Sequence, residues 1–287
     1  MKNMRLIGMS TLALSCFSFF FVGCGGSSSG SNETVLTGAF IDAPVQGLHY
    51  STASQSGITD ENGNFKYKDG ETITFNIGNL TLGSAIASKT MTPLELGGDT
   101  HLDAIGTKST NIARVLQSLD DTPADSSKIV LPSALQSLSV PTINLENEAD
   151  LNTILAKSQT ITSKPYVLTT PLFAKSELGS FLSNYIYPGN YAGTSTHNTL
   201  SSKFSSAACG GATVAWDVNI DPSLVLSGNA KSFNETLSGI QFNGSQFIGK
   251  SSSGFNWDIK ISTQGIITGS YRSPNAECVG TIYGRKK

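Results

Sequence analysis

The chain has few of the side chains on which metal and nucleophilic chemistry usually depend. Its 287 residues include three histidines and four cysteines, and charged residues make up 14% of the sequence. It contains no Cys-x-x-Cys pair, zinc-ligand spacing, phosphate-binding glycine loop or haem motif. Serine is abundant, so no particular serine can be assigned to a catalytic triad. No acidic pair stands out from the surface charge for glycoside hydrolysis. We therefore expect no enzymatic activity.

The charge balance is slightly acidic. The chain has 19 basic and 21 acidic residues, and two of the basic ones, Lys2 and Arg5, lie in a segment that we expect to be removed. This balance argues against nucleic acid as a partner and against a polybasic membrane patch. Abundant Ser, Thr, Gly and Asn are typical of a secreted β-protein with many turns.

The N-terminal segment resembles a secretion signal that ends at a cysteine. The largely apolar run from Leu6 to Val22 is short for a membrane-spanning helix. Phe21-Val22-Gly23-Cys24 resembles the lipobox of bacterial lipoproteins. This resemblance implies removal of residues 1–23, acyl chains such as palmitate on Cys24, and a membrane as partner. In a Gram-negative cell this would be the outer membrane, because Gly25 and not an aspartate follows. An ordinary signal peptide with a free Cys24 thiol is the alternative.

The remaining cysteines predict one disulfide. Cys16 would leave with the signal and Cys24 would carry lipid, so Cys209 and Cys278 would be left in an oxidising compartment. Closing a loop of about 70 residues would stabilise the fold by around 4 kcal/mol in the chain-entropy model. A metal or redox pair has less support, because no neighbouring cysteine or histidine accompanies either residue.

Residues 24–34 form a Gly/Ser linker, and residues 35–98 have the pattern of an antiparallel β-sandwich. Thr72 to Ile77 alternates between apolar and polar side chains, as a half-buried strand does. Asn62-Gly63 lies between two alternating runs and predicts a hairpin, since glycine accepts a positive φ at little cost.

The same stretch resembles a known family. The segments that carry the resemblance are Asp42-Ala43-Pro44-Val45-Gln46-Gly47-Leu48, Gly57-Ile58-Thr59-Asp60-Glu61-Asn62-Gly63-Asn64-Phe65 and Gly70-Glu71-Thr72. They are similar to carboxypeptidase-regulatory-like (transthyretin-like) domains, and more narrowly to the opening module of bacterial surface lipoproteins and adhesins. Because such modules are non-catalytic sandwiches, the resemblance implies a scaffold or binding role.

Residues 99–186 predict a helical insert. In Asn111 to Leu119, the apolar side chains recur at helical spacing, and Ser109 or Thr110 could cap the helix. Similar patterns recur at 132–138, 146–157 and 171–185. The lipoproteins named above carry a similar Asn-Ile-Ala-Arg-Val-Leu-Gln-Ser-Leu-Asp stretch.

Residues 187–287 return to short strands. Eight candidates separated by turns predict an up-and-down antiparallel β-barrel or a curled sandwich, which would remove exposed sheet edges. The glycine-rich stretches at 191–194 and 280–284 predict that the first and last strands are neighbours. The fold class is therefore mainly β with a helical middle.

Three acidic or polar clusters are candidate metal sites. Asp120, Asp121 and Asp125 form an acidic turn that could bind calcium with help from backbone carbonyls. Asp99, His101 and Asp103 could hold a divalent metal if extended. Asp60, Asn62 and Asn64 have EF-hand spacing, but turn chemistry explains them better. A solvated loop is the alternative for the first two clusters.

Five aromatic residues are candidates for a sugar or peptide platform, with core packing as the alternative: Tyr185, Tyr187, Tyr191, Trp216 and Trp257. The preferred hypothesis is a non-enzymatic, lipid-anchored envelope protein for scaffolding, adhesion or binding a protein or glycan at the cell surface. A small-ligand or glycan-binding protein using the barrel is the alternative, and an envelope hydrolase is the weaker one. The scaffold hypothesis predicts a barrel filled by Val214, Trp216, Ile240, Phe242, Ile259 and Ile261.

Overall fold

The computed structural model describes residues 34–199, 213–230, 235–244, 246–274 and 278–287. The predicted signal, the lipobox and almost all of the Gly/Ser linker lie outside these residues. Residues Glu33–Lys287 cluster as one compact unit. Among the described residues, no helix has both the length and the apolar character needed to cross a membrane.

Short strands make up the first part of this unit. They are β1 (Leu36–Phe40), β2 (Val45–Gln46), β3 (His49–Ser51), β4 (Ser56–Ile58), β5 (Asn64–Tyr67), β6 (Thr72–Ile77), β7 (Leu80–Ile86), β8 (Thr90–Met91) and β9 (Ile129–Val130). One sheet has the order β4-β3-β6-β7 and a second has the order β5-β1-β8. The short strands β2 and β9 form a parallel pair.

The two sheets share an aromatic core, which confirms the predicted sandwich. In β6, Ile73, Phe75 and Ile77 are fully buried, and the residues between them are not. The Phe75 ring lies 4.7 Å from that of Phe40 and 5.4 Å from that of Phe65, between ring centroids. Because Phe40 and Phe65 belong to the other sheet, this alternation holds the two sheets face to face.

The predicted hairpin at Asn62-Gly63 is wrong, because the strands on either side of it belong to different sheets. The Asp60 carboxylate accepts hydrogen bonds from the backbone N–H groups of Asn62 and Asn64, each at 2.9 Å. These bonds hold a local turn. A Cβ on Gly63 would lie 2.5 Å from the carbonyl oxygen of Phe40, so glycine is needed here for close approach to β1. The turn therefore links the two sheets.

Helices follow the sandwich and confirm a helical middle. They are α1 (Pro93–Gly97), α2 (Thr107–Ser118), α3 (Glu148–Thr162) and α4 (Pro171–Tyr185), with 3-10 helices at Leu102–Ala104 and Ser133–Ser137. The expected cap of α2 at Ser109 or Thr110 is wrong, because the helix begins one turn earlier, after Gly106. The Thr110 hydroxyl instead donates to the carbonyl of Gly106 inside the first turn.

The C-terminal strands form a closed antiparallel barrel, as predicted. They are β10 (Gly189–Thr199), β11 (Thr213–Ile220), β12 (Val225–Ala230), β13 (Glu235–Phe242), β14 (Phe247–Lys250), β15 (Asn256–Ile261), β16 (Ile266–Arg272) and β17 (Cys278–Lys286). Each strand pairs with the next, and β10 pairs with β17 to close the barrel.

The glycines at the seam between β10 and β17 have a packing role. Gly193 and Gly284 lie opposite each other, as the expected pairing of first and last strands requires. The Trp216 ring lies across both: a Cβ would come within 2.5 Å of it at Gly193 and within 2.4 Å at Gly284. The Tyr271 ring covers Gly280 in the same way. Glycine spacing in these strands therefore reflects large rings packed directly on backbone.

Candidate functional site

The barrel interior is filled with side chains. Five of the six residues predicted to fill the barrel are buried there: Val214, Trp216, Ile240, Ile259 and Ile261. The sixth, Phe242, is half-buried and packs against this core. The cavity that remains between Trp216, Trp257 and their apolar neighbours measures about 10 Å³. That volume is about the minimum for one water molecule. Among the barrel residues that the structure describes, this cavity has no room for a sugar or other small ligand.

Four of the five candidate platform aromatics lie in this core, and the fifth, Tyr185 at the end of α4, is 66% exposed. Tyr187, Tyr191, Trp216 and Trp257 are at most 5% exposed, so they form no surface strip. The Tyr191 hydroxyl donates to the carbonyl of Tyr187 at 2.7 Å. Burial raises the pKa of both tyrosines far above the usual value. Alternation along the strands points these large rings inward, which agrees with core packing.

The three carboxylates of the acidic turn after α2 have different partners. Asp120 Oδ1 accepts from the backbone N–H groups of Thr122 and Val130, at 3.0 and 2.9 Å. Asp121 instead forms an ion pair with Lys164. Asp125 Oδ1 accepts from the backbone and hydroxyl of Ser127. Each carboxylate thus stabilises a different part of the turn.

The second candidate metal cluster is also divided. Asp99 Oδ2 accepts from the N–H of Gly106 at 2.7 Å and from the hydroxyl of Ser109 at 2.6 Å, whereas Asp103 pairs with Lys260. His101 Nδ1 contacts the hydroxyl of Thr100 at 2.8 Å. Across the described residues, no group of three or more His, Cys, Asp or Glu side chains is arranged to hold a metal ion.

The structure instead shows an acidic cleft that we did not predict, with a buried carboxyl at its base. The cleft measures about 250 Å³. Its acidic lining residues are Asp42, Asp120, Asp125 and Glu177, and Gln117, Lys128, Phe173 and Phe181 also line it. Asp42 is 2% exposed and follows β1, at the turn into β2. The Nε2 atom of Gln117 donates to both oxygens of Asp42, at 3.2 and 3.3 Å.

Asp42 has an unusual electrostatic environment. Burial raises the pKa of Asp42 well above its usual 3.8. The hydrogen bond from Gln117 lowers it by less, and the negative charge of Glu177 adds a further rise. Gln117 Oε1 is itself buried and has no hydrogen-bond partner in the described structure. A protonated Asp42 could donate to that oxygen if the Gln117 amide turned over, because a protonated carboxyl carries an O–H donor.

The polar residues of α2 join neighbouring segments to one face of the helix. Asn111 Nδ2 donates to the carbonyl of Leu145 at 2.7 Å, and the buried Arg114 donates through Nε to that of Thr169 at 2.6 Å. Arg114 also pairs with Glu148 at 3.3 Å. With Gln117, these side chains recur every three residues and therefore share a face. The three-residue spacing of these polar side chains is visible in the sequence, but it does not identify Asp42 as the partner of Gln117.

Cys278 lies at the start of β17, opposite Thr199 of β10. Its predicted partner Cys209 and the predicted lipidation site Cys24 lie outside the described residues. Both the disulfide and the lipid anchor remain predictions.

Part of the chain is similar to two proteins of Escherichia coli. No family model and no solved structure matches the chain. It is 30% identical over 144 residues to the protein named "Putative lipoprotein AcfD homolog" of Escherichia coli (strain K12). It is 29% identical over 144 residues to "Putative lipoprotein YghJ" of Escherichia coli O78:H11 (strain H10407 / ETEC). Each alignment covers 48% of this chain and 9% of the relative. About half of this chain is therefore similar to a small part of proteins whose names describe them as lipoproteins.

Proposed function

We propose that the chain is a non-enzymatic, lipid-anchored protein of the cell envelope, acting as a scaffold or in adhesion and binding. Phe21-Val22-Gly23-Cys24 supports the anchor, and the names of the two relatives agree with it. Gly25 after Cys24 supports the outer membrane as its location. Two or three acyl chains would hold the protein stably in a bilayer.

The observation that carries the scaffold role is the filled barrel. Sites for small ligands usually have a volume of about 300–1,000 Å³. The cavity between the described barrel residues around Trp216 and Trp257 measures about 10 Å³, which supports a structural role better than that of a ligand carrier. The sandwich supports the same conclusion, because its two facing sheets are compatible with the non-catalytic carboxypeptidase-regulatory-like module that its turns resemble.

An envelope hydrolase has one observation in its favour, the acidic cleft with Asp42 and Glu177. A carboxyl with a raised pKa can serve as a general acid. However, Asp42 is 2% exposed, and both of its oxygens are already within 3.3 Å of Gln117 Nε2. These contacts favour a structural role, in which Asp42 joins the β1–β2 turn to α2.

The anchor is tested by comparing Cys24→Ser with Ser27→Ala, a matched change in the adjacent linker. We expect the Ser27→Ala protein to remain in the membrane fraction after a high-salt wash and the Cys24→Ser protein to be released. Protease treatment of intact cells would then show whether the anchored protein faces outward. Full membrane retention of Cys24→Ser would contradict the proposed anchor.

A further inference from the structure

We propose that a second cleft, lined by lysines near one end of the barrel, binds an acidic sugar through its carboxylate. This lysine cleft has a volume of about 360 Å³. Its principal lining residues come from four parts of the fold. They are Lys89, just before β8, and Thr90, the first residue of β8; Tyr185 at the end of α4; Gln264 between β15 and β16; and Lys286 and Lys287 at the end of β17. The proposal does not depend on the lipid anchor.

Lys286 is held in position at this cleft. Its side chain is half-buried, and Nζ donates to the carbonyl of Ile186 at 2.7 Å and lies 5.9 Å from the centre of the Tyr191 ring. Its carbon chain packs against Gly189 and Gly265. A Cβ at these glycines would lie 2.6 Å from Lys286 Cε and 3.0 Å from Lys286 Cβ. The ammonium group is therefore fixed by packing and is more ordered than a surface lysine.

The positive charge in the lysine cleft has no matching carboxylate among the side chains that line it. Burial lowers the pKa of Lys286, and repulsion from Lys89 lowers it further. Lys287 is already paired with Asp217 at 2.5 Å. The nearby Glu95 carboxylate does not line the cleft, and it accepts hydrogen bonds from Thr92 and from Gln264. An anion placed between Lys89 and Lys286 would relieve their repulsion.

The wall beside these lysines favours a sugar over a bare anion. Tyr185 is 66% exposed, although its ring stacks on Phe181 with centroids 4.3 Å apart and planes at 4°. Stacking holds the ring in place, so Tyr185 offers the cleft an apolar surface that loses little conformational entropy when a ligand binds. A pyranose with a carboxylate combines the two required surfaces, an apolar face for Tyr185 and an anion for the lysines. The cleft volume is within the range of small-ligand sites.

The test is calorimetric titration of the full chain, in a non-ionic detergent, with glucuronate, glucose, acetate and inorganic phosphate. We expect glucuronate to bind in the millimolar range and more tightly than the other three. Lys286→Met keeps the carbon chain and removes the charge, and Lys89→Gln changes an exposed side chain. Each variant should weaken glucuronate binding by about tenfold, the cost of one charge-assisted hydrogen bond. Lys157→Gln, an exposed change on α3, is the matched control and should bind normally.

Three outcomes would overturn the proposal. One is the absence of glucuronate binding at tens of millimolar. A second is equal binding of acetate or phosphate, which would mean that Tyr185 contributes nothing. The third is unchanged affinity in Lys89→Gln, a variant that should fold normally because the Lys89 side chain is exposed. Thermal melting of every variant separates lost binding from lost folding.

Discussion

Replacing Asp42 with asparagine should stabilise the protein at neutral pH. The carboxyl is 2% exposed, and burial raises its pKa well above 3.8. A group whose pKa is higher in the folded than in the unfolded protein stabilises the fold at low pH. That contribution is lost as the pH rises from the unfolded pKa through the folded one. At pH 7, folding must therefore either bury a charged carboxylate or take up a proton. Asparagine avoids both costs.

The size of the effect follows from the pKa difference. Each unit of separation between the folded and unfolded pKa corresponds to about 1.4 kcal/mol of unfolding free energy. Since burial raises the pKa of Asp42 well above its usual value, we expect Asp42→Asn to be more stable at pH 7 by an amount on the order of 1 kcal/mol. The new amide could also donate to Gln117 Oε1, which lacks a partner, and add about 1 kcal/mol.

Urea denaturation followed by circular dichroism between pH 4 and 8 measures this effect. We expect the difference between Asp42→Asn and the parent to shrink as the pH falls toward 4. Asp125→Asn is the matched control with the opposite sign, because hydrogen bonds from Ser127 lower the pKa of Asp125. Its carboxylate stabilises the fold above pH 3.8, so its loss should reduce stability at pH 7. An Asp42→Asn protein that is less stable at pH 7, or whose advantage does not vary with pH, would refute the reasoning.

Further changes test the barrel, the helical region and the disulfide. Gly193→Ala should lower the melting temperature, because the new Cβ would lie against the Trp216 ring. Its control is Gly179→Ala in α4, where a Cβ meets open space and should stabilise the helix by about 0.5–1 kcal/mol. Equal melting temperatures for the two variants would contradict the packing of Trp216 on the seam. Arg114→Met should cost about 3 kcal/mol in urea denaturation, because it leaves buried acceptors without a donor. Thiol labelling of the unfolded, unreduced protein should modify neither Cys209 nor Cys278, and labelling of both would exclude the disulfide.

Local patterns predicted most of the architecture. Alternation in β6 and across the C-terminal strands identified which residues face inward, because side chains on a strand point to opposite faces in turn. The glycines at 193 and 284 even predicted which strands close the barrel. The helical pattern at 171–185 predicted helix α4 at the bounds that it has, Pro171–Tyr185. The helix begins there because Thr170 caps it and because proline suits the first turn of a helix.

Features that depend on distant contacts were not predictable in this way. Asn62-Gly63 has hairpin chemistry, yet the turn joins two sheets, because its geometry is set by Asp60 and by close approach to β1. Asp42 and Gln117 are 75 residues apart in the chain, and no local pattern pairs them. The lysine cleft likewise combines β8, the end of α4, the turn between β15 and β16, and the end of β17. The different hydrogen-bond partners of Asp120 and Asp125 likewise cannot be read from their spacing, because carboxylates in a turn often accept from separate backbone groups.

The central claim, a lipid-anchored envelope protein, is tested most directly at its N-terminus. Mass spectrometry of the N-terminal peptide, from protein purified out of membranes, reads the processing and the modification together. The account predicts a mature chain that begins at Cys24, with diacylglyceryl on its sulfur and an acyl group on its amine. An N-terminal peptide that contains an unmodified Cys24 would contradict it.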